Sequence, residues 1–246
     1  MDLPRSFVIR EGDLRILNPF APVKLATLGE AIKLRPGQRL VDLCCGKGEL
    51  LASWAERHGI TGVGVDISTA FLAAARERAG DLPVEFTHGD AAAFTADPPG
   101  DIVACIGATW IGNGVAGTIE IMERSLRPGG LLLVGEPYWR LDPPDDETVE
   151  ACHARSSAEF RALPALVAHF QDLGWDVVEM VLSNQDDWDR YAAAHWLNLR
   201  TWLDANPDDP LAPELRAELD ADPARHVRYR REYLGWGVFA LIRRPG

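Results

Sequence analysis

Continuous apolar runs, each closed by an acid or a glycine, alternate along this chain with stretches whose apolar residues recur every three or four positions. The runs read as strands buried on both faces, and the periodic stretches as helices packed on a sheet. Strands are predicted near 39–44, 61–66, 83–87, 101–107 and 130–136, with two more at 175–181 and 235–242. Helices are predicted near 48–58, 68–79, 89–94, 114–126 and 160–173. An earlier helix carries Leu25, Leu28 and Ile32 as its stripe, with Pro22 near its start and Pro36-Gly37 as the turn after it. Strand-then-helix alternation predicts an α/β fold: a doubly wound sheet with helices on both faces. The first 20 residues read as irregular, an N-terminal lid or a lead-in to the first helix. A long connection at 184–234 holds Trp188, Tyr191, His195, Trp196 and Trp202, then a basic run at 225–231, and is expected to form a helical cap of two or three helices.

The stretch at 40–51 organises the rest. Leu40 to Leu43 reads as a strand, Cys44 to Gly48 as a tight turn, and Glu49 onward as a helix with Leu50, Leu51, Trp54 and Ala55 on one side. Glycine in such a turn lets a ligand lie against bare backbone. A dinucleotide site wants a third glycine where Leu51 stands. The turn also carries acid, Asp42 and Glu49, which repels a pyrophosphate and suits a ligand with an ammonium or sulfonium group. Asp66 ends the second strand twenty residues after Gly46, the spacing at which an acid meets ribose hydroxyls. Asp90 follows the third strand and could accept from an adenine amino group. Helix capping is the alternative reading for Asp66 and Asp90.

These residues resemble the class I SAM-dependent methyltransferases. The runs at 105–111, 135–139 and 235–241 are similar to a bacterial subgroup of that family, along about 13–243. The resemblance implies a Rossmann-like, seven-stranded, mostly parallel sheet with the last strand antiparallel between the fifth and sixth. It implies S-adenosyl-L-methionine (SAM) as cofactor and S-adenosyl-L-homocysteine (SAH) as product. It places the methionyl part at Asp42, Cys44, Gly46, Gly48, Gly107 and Ala108, the ribose at Asp66 and Ile67, and the adenine at Asp90 and Ala91. The family usually has glycine where Cys44 or Cys45 stands.

Composition narrows the reading. The chain has 246 residues, 47% of them hydrophobic, enough for one domain with a sizeable core. A net charge of −12 argues against nucleic acid, whose phosphates need clustered Lys and Arg. No apolar run approaches the ~20 residues of a membrane helix, and no signal peptide is visible, so a cytoplasmic protein is expected. The cysteines Cys44, Cys45, Cys105 and Cys152 match no zinc spacing, and no metal is expected.

Methyl transfer needs in-line attack, with a base only where the acceptor must lose a proton. Trp110, Tyr138, Trp139 and Trp196 are expected to line a pocket for a small-molecule acceptor. Glu136, an acid before proline at a strand end, is the first choice for a base or substrate anchor, and His195 the second. The alternatives are an NAD(P)-dependent oxidoreductase on a related sheet and a non-catalytic SAM-binding protein.

Overall fold

The computed structural model describes residues 2–245. Seven strands form one sheet: β1 (Arg39–Leu43), β2 (Thr61–Asp66), β3 (Val84–His88), β4 (Gly100–Ile106), β5 (Leu126–Trp139), β6 (Trp175–Leu182) and β7 (Leu234–Arg243). Their order is β3-β2-β1-β4-β5-β7-β6. The pairs among β1 to β5 are parallel, and β7 runs antiparallel between β5 and β6, where the resemblance placed it. The chain steps from β1 outward through β2 to β3, then returns to β4 on the other side of β1. That reversal opens a crevice beyond the C-terminal ends of β1 and β4, where open parallel sheets bind ligands.

The helices are α1 (Arg5–Glu11), α2 (Pro22–Ala31), α3 (Glu49–His58), α4 (Thr69–Ala79), α5 (Val115–Glu123), α6 (Asp146–Ala151), α7 (Leu163–Asp172), α8 (Gln185–Ala205), α9 (Ala212–Arg225) and the short α10 (Arg231–Tyr233). Single 3-10 turns occupy Ala91–Ala93 and Thr109–Gly112, and a π-helical turn occupies His226–Arg230. Alternation along each strand divides the core between the two sheet faces. Val41, Val103, Phe170 and Phe239 fill one side, and Leu40, Ile102, Trp54 and Val238 the other. The expected stripe of α3 is buried throughout, and Trp54 Nε1 donates to the Leu25 carbonyl of α2 at 3.1 Å.

Four elements differ from expectation. Helix α1 was not visible because Phe7, Val8 and Ile9 are consecutive and show no helical period. Helix α6 is a six-residue helix capped by Asp145, too short for a periodic signal. The helix expected at 89–94 is one turn, ended where Phe94 returns to extended backbone. Strand β5 is longer than its apolar run because Leu126 pairs with Gly100 and Trp139 with Leu234.

The long connection is helical. The Asn184 side chain accepts from Asp187 N–H at 2.9 Å and the Asp187 carboxylate from Asn184 N–H at 2.8 Å, a capping box that starts α8. Leu199 and Leu203 of α8 pack on Ala212 and Leu215 of α9, and Ile9 of α1 joins that cluster. The insertion is thus seated on the N-terminal helix.

Candidate functional site

Beyond β1 the backbone turns through three left-handed residues: Cys44 (φ 62°), Gly46 (φ 53°) and Gly48 (φ 70°). Side chains are excluded at both glycines. A Cβ on Gly46 would stand 2.9 Å from Leu17 Cδ1, and one on Gly48 2.6 Å from the Phe86 ring. Cys44 stands at the first of these positions without glycine's freedom, and left-handed backbone costs an ordinary residue about 1–2 kcal/mol. The turn is pinned to β2: Cys45 N–H donates to the Val65 carbonyl at 3.0 Å, and Gly46 N–H to Asp66 Oδ2 at 2.8 Å. Asp66 Oδ1 accepts from Ser68 N–H, also at 2.8 Å.

The turn forms part of a cavity of about 350 Å³. Asp42, Cys44, Cys45, Gly46 and Lys47 contribute from the β1 end, Asp66 and Ile67 from β2, and Asp90 and Ala91 from beyond β3. Ile106, Gly107, Ala108 and Trp110 contribute from β4 and its 3-10 turn. Thus every residue assigned to cofactor binding, save Gly48, lies on the cavity wall; Gly48 shapes the turn from behind. Asp90 also caps its own 3-10 turn, accepting from Ala92 N–H at 2.9 Å. Gly107 (φ 78°) is closed to a side chain by Asn18, whose amide donates to the Ile106 carbonyl at 3.3 Å.

Two buried carboxyls, Asp42 and Asp66, stand on the cavity wall. Among the described residues none donates a hydrogen bond to Asp42, although its residue is only 4% exposed. Burial first, then the neighbouring Asp66 charge, pushes its pKa up to about 8. Burial also raises Asp66, against the pull of its backbone donors. Glu49 is already paired with Arg78 Nε at 2.9 Å, so its charge is met within the protein. Burial pushes the Cys45 thiol up as well, which leaves it a packing residue rather than a nucleophile.

The expected acceptor and base residues do not converge here. Of Trp110, Tyr138, Trp139 and Trp196, only Trp110 lines the cavity, and it is 65% exposed at the rim. Tyr138 lies in the core, its ring over Gly235. Trp139 packs on Phe160 at 5.4 Å and donates to the Ser157 carbonyl. Trp196 donates to Asp222 at 2.8 Å inside the helical insertion. Glu136 accepts from the Thr109 hydroxyl at 2.6 Å behind the 3-10 turn and is not on the wall. Burial lifts its pKa to about 7, with the Thr109 hydrogen bond opposing. His195 Nε2 is 3.3 Å from Glu11 Oε1, off hydrogen-bonding alignment, between α8 and α1. All five are held by packing or polar contacts that turn them from the cavity.

Much of the remaining wall comes from the N-terminal segment, including Leu3, Phe7, Ile16, Leu17, Asn18 and Phe20. Sequence reads this stretch as a lid or a lead-in, with 12–20 as the part that would fold over a ligand. Lys47, between the two glycines of the turn, was also passed over; a cation in a turn otherwise rich in acid is the signal that marks it.

A methyltransferase-domain family model matches residues 40–130, which span β1 to the early part of β5. A SAM-dependent methyltransferase from Geobacter sulfurreducens, solved with SAH, is 55% identical with a TM-score of 0.97, covering 99% of both chains. The chain belongs to the SAM-dependent methyltransferase family. A second such enzyme, from Thiobacillus denitrificans and also solved with SAH, is 53% identical with a TM-score of 0.97, over 99% of this chain and all of that one. The uncharacterized protein YjhP of Escherichia coli strain K12 is 53% identical over 99% of this chain and its own full length. The family sets aside the oxidoreductase alternative. Among the described residues no helix is long and apolar enough to cross a membrane.

Proposed function

We propose that this methyltransferase alkylates a small-molecule acceptor that enters beside Trp110. The observation that carries the reading is the Asp42 carboxyl, buried, without a donor, and facing a cavity built on a left-handed turn. A buried carboxyl in that state calls for a cationic partner, because burial penalises its charge until one is supplied. The amino group of a methionyl moiety is such a partner. Backbone at Gly46 and Gly107 gives close approach. Asp66 retains a free lone pair on each oxygen for ribose hydroxyls, and Ile67, Asp90 and Ala91 suit an adenine.

SAM, when bound, supplies an electrophilic methyl group on sulfur. The chain's own work is to orient and to dry. Phe7, Leu17, Phe20 and Trp110 exclude water, and Asn18 offers a neutral amide beside Gly107. Enclosure by apolar side chains with few polar groups favours a small acceptor over a macromolecule. With Glu136 and His195 off the wall, the acceptor is read as bringing its own available lone pair.

The test pairs calorimetry of SAH with a metabolite screen using methyl-labelled SAM. The reading expects SAH binding and label on a small product. SAH binding with label on no acceptor in a cell extract would support the binding-only alternative.

A further inference from the structure

The N-terminal segment, which does not belong to the sheet, forms part of the cavity wall through Leu3, Phe7, Leu17 and Phe20. Besides the packing of Phe7 on Phe71, of Phe20 on Trp236 and of Ile9 on the α8–α9 cluster, polar contacts hold that segment. Lys47 Nζ, on the cofactor turn, donates to the Glu11 carbonyl at 3.1 Å and to the Gly12 carbonyl. These are the last carbonyls of α1, where a cation is favoured by the helix dipole. Glu11 is 1% exposed. Its carboxylate meets the Tyr191 hydroxyl of α8 at 3.1 Å, and that same hydroxyl lies 3.0 Å from the Leu17 carbonyl. One hydroxyl proton therefore serves two acceptors on the two halves of the cover. Asn198, two turns further along α8, donates to the Arg10 carbonyl at 2.9 Å. Leu17 itself reaches the Gly46 turn.

We propose that Lys47 and Tyr191 are positioning residues that latch the N-terminal segment over the bound cofactor, and that holding this latch is what the helical insertion does for the reaction. The geometry supports the division of labour. No residue of α8 or α9 lines the cofactor cavity among the described residues, yet both helices pack on α1, which does. The join is also built to open. A buried carboxylate whose one aligned side-chain donor is shared gains less than a fully bonded one. Segments held by few polar contacts open locally more readily than the sheet beneath them. Opening of 3–20 breaks the Tyr191 and Lys47 contacts together with the Asn198–Arg10 hydrogen bond and the Arg10–Glu218 ion pair.

The experiment follows release of SAH by stopped-flow fluorescence in the wild type, Tyr191→Phe, Lys47→Met and Lys47→Arg. Losing one hydrogen bond of the cover is worth about tenfold in rate. SAH should therefore leave Tyr191→Phe and Lys47→Met about tenfold faster, with melting temperatures near wild type, and Lys47→Arg should restore slow release. Hydrogen exchange on the unmodified protein is the second measurement. Amides of α1 should exchange faster than those of α3, and SAH should slow them selectively. Release within twofold of wild type in both Tyr191→Phe and Lys47→Met, or α1 amides indifferent to SAH, would overturn the latch. Failure of wild type to bind SAH at all would overturn the cofactor assignment and the latch with it.

Discussion

Asp42 and Glu136 invite the same interpretation and meet different fates. Each is an acid in the C-terminal part of a buried strand of one sheet, each is nearly inaccessible, and burial raises the pKa of each, to about 8 and about 7. After Asp42 the chain turns left-handed and leaves the carboxyl open to the cavity. After Glu136 the strand continues to Trp139, and the Thr109 hydroxyl occupies the carboxylate. A strand-end acid becomes a ligand site only where the next backbone departs and no internal donor reaches it. The same contrast separates Asp42 from Glu49, which lines the cavity but is met by Arg78.

The sharpest way to break the comparison is to neutralise Asp42. Asp42→Asn removes a charge-assisted hydrogen bond worth ~2.7 kcal/mol, so SAH affinity by calorimetry should fall about 100-fold. The ligand-free protein should become more stable above pH 8, because Asn carries no buried charge. The sign follows from linkage. The folded-state pKa of Asp42 lies above the ordinary carboxylate value, so the folded form holds a proton the unfolded chain has lost. Ligand-free stability therefore falls as pH rises from about 4 to about 8 through this group. A cationic ligand needs the ionised form, so binding at pH 6.5 should release a proton, seen as a binding enthalpy that changes with buffer.

Next in size is the turn itself. Cys44→Val puts a β-branched residue at φ 62° and should cost about 2 kcal/mol in urea denaturation, with weakened SAH binding. Glu136→Gln then tests the other side of the comparison. SAH affinity should stay within about twofold, since Glu136 is off the cavity wall. Stability should rise by about 1–3 kcal/mol at pH 8.5 and by little at pH 5, because the charge that burial penalises above about 7 is gone. SAH should relieve the pH dependence that comes from Asp42 and leave that of Glu136 in place. The smallest effect belongs to Trp196→Phe. It forfeits the Asp222 hydrogen bond, about 1 kcal/mol of stability by thermal denaturation, without moving SAH affinity.

The sheet was readable because strands buried on both faces leave long apolar runs, and the residues that close those runs are the cavity's acids. The order of β5, β7 and β6 came from family resemblance, since register between distant segments leaves no periodic trace. The acceptor side was misread for one reason. Tyr138, Trp139 and Trp196 are aromatic and near the right loops, but an aromatic ring packs wherever space is offered, and Gly235, Phe160 and His226 offer it elsewhere. His195 was drawn the same way into the seam with Glu11 and Tyr191. The N-terminal segment was legible as a lid or lead-in, but its helix was not, because α1 has no amphipathic period, and its anchors lie far away in sequence, at Lys47 and Tyr191.

The most direct measurement is a crystal structure of this chain with SAH. The account predicts the methionyl amino group within hydrogen-bonding distance of Asp42, with the ribose at Asp66 and 3–20 closed over both. SAH seated instead in the neighbouring groove between Leu14, Pro22 and Arg190, with Asp42 untouched, would contradict it.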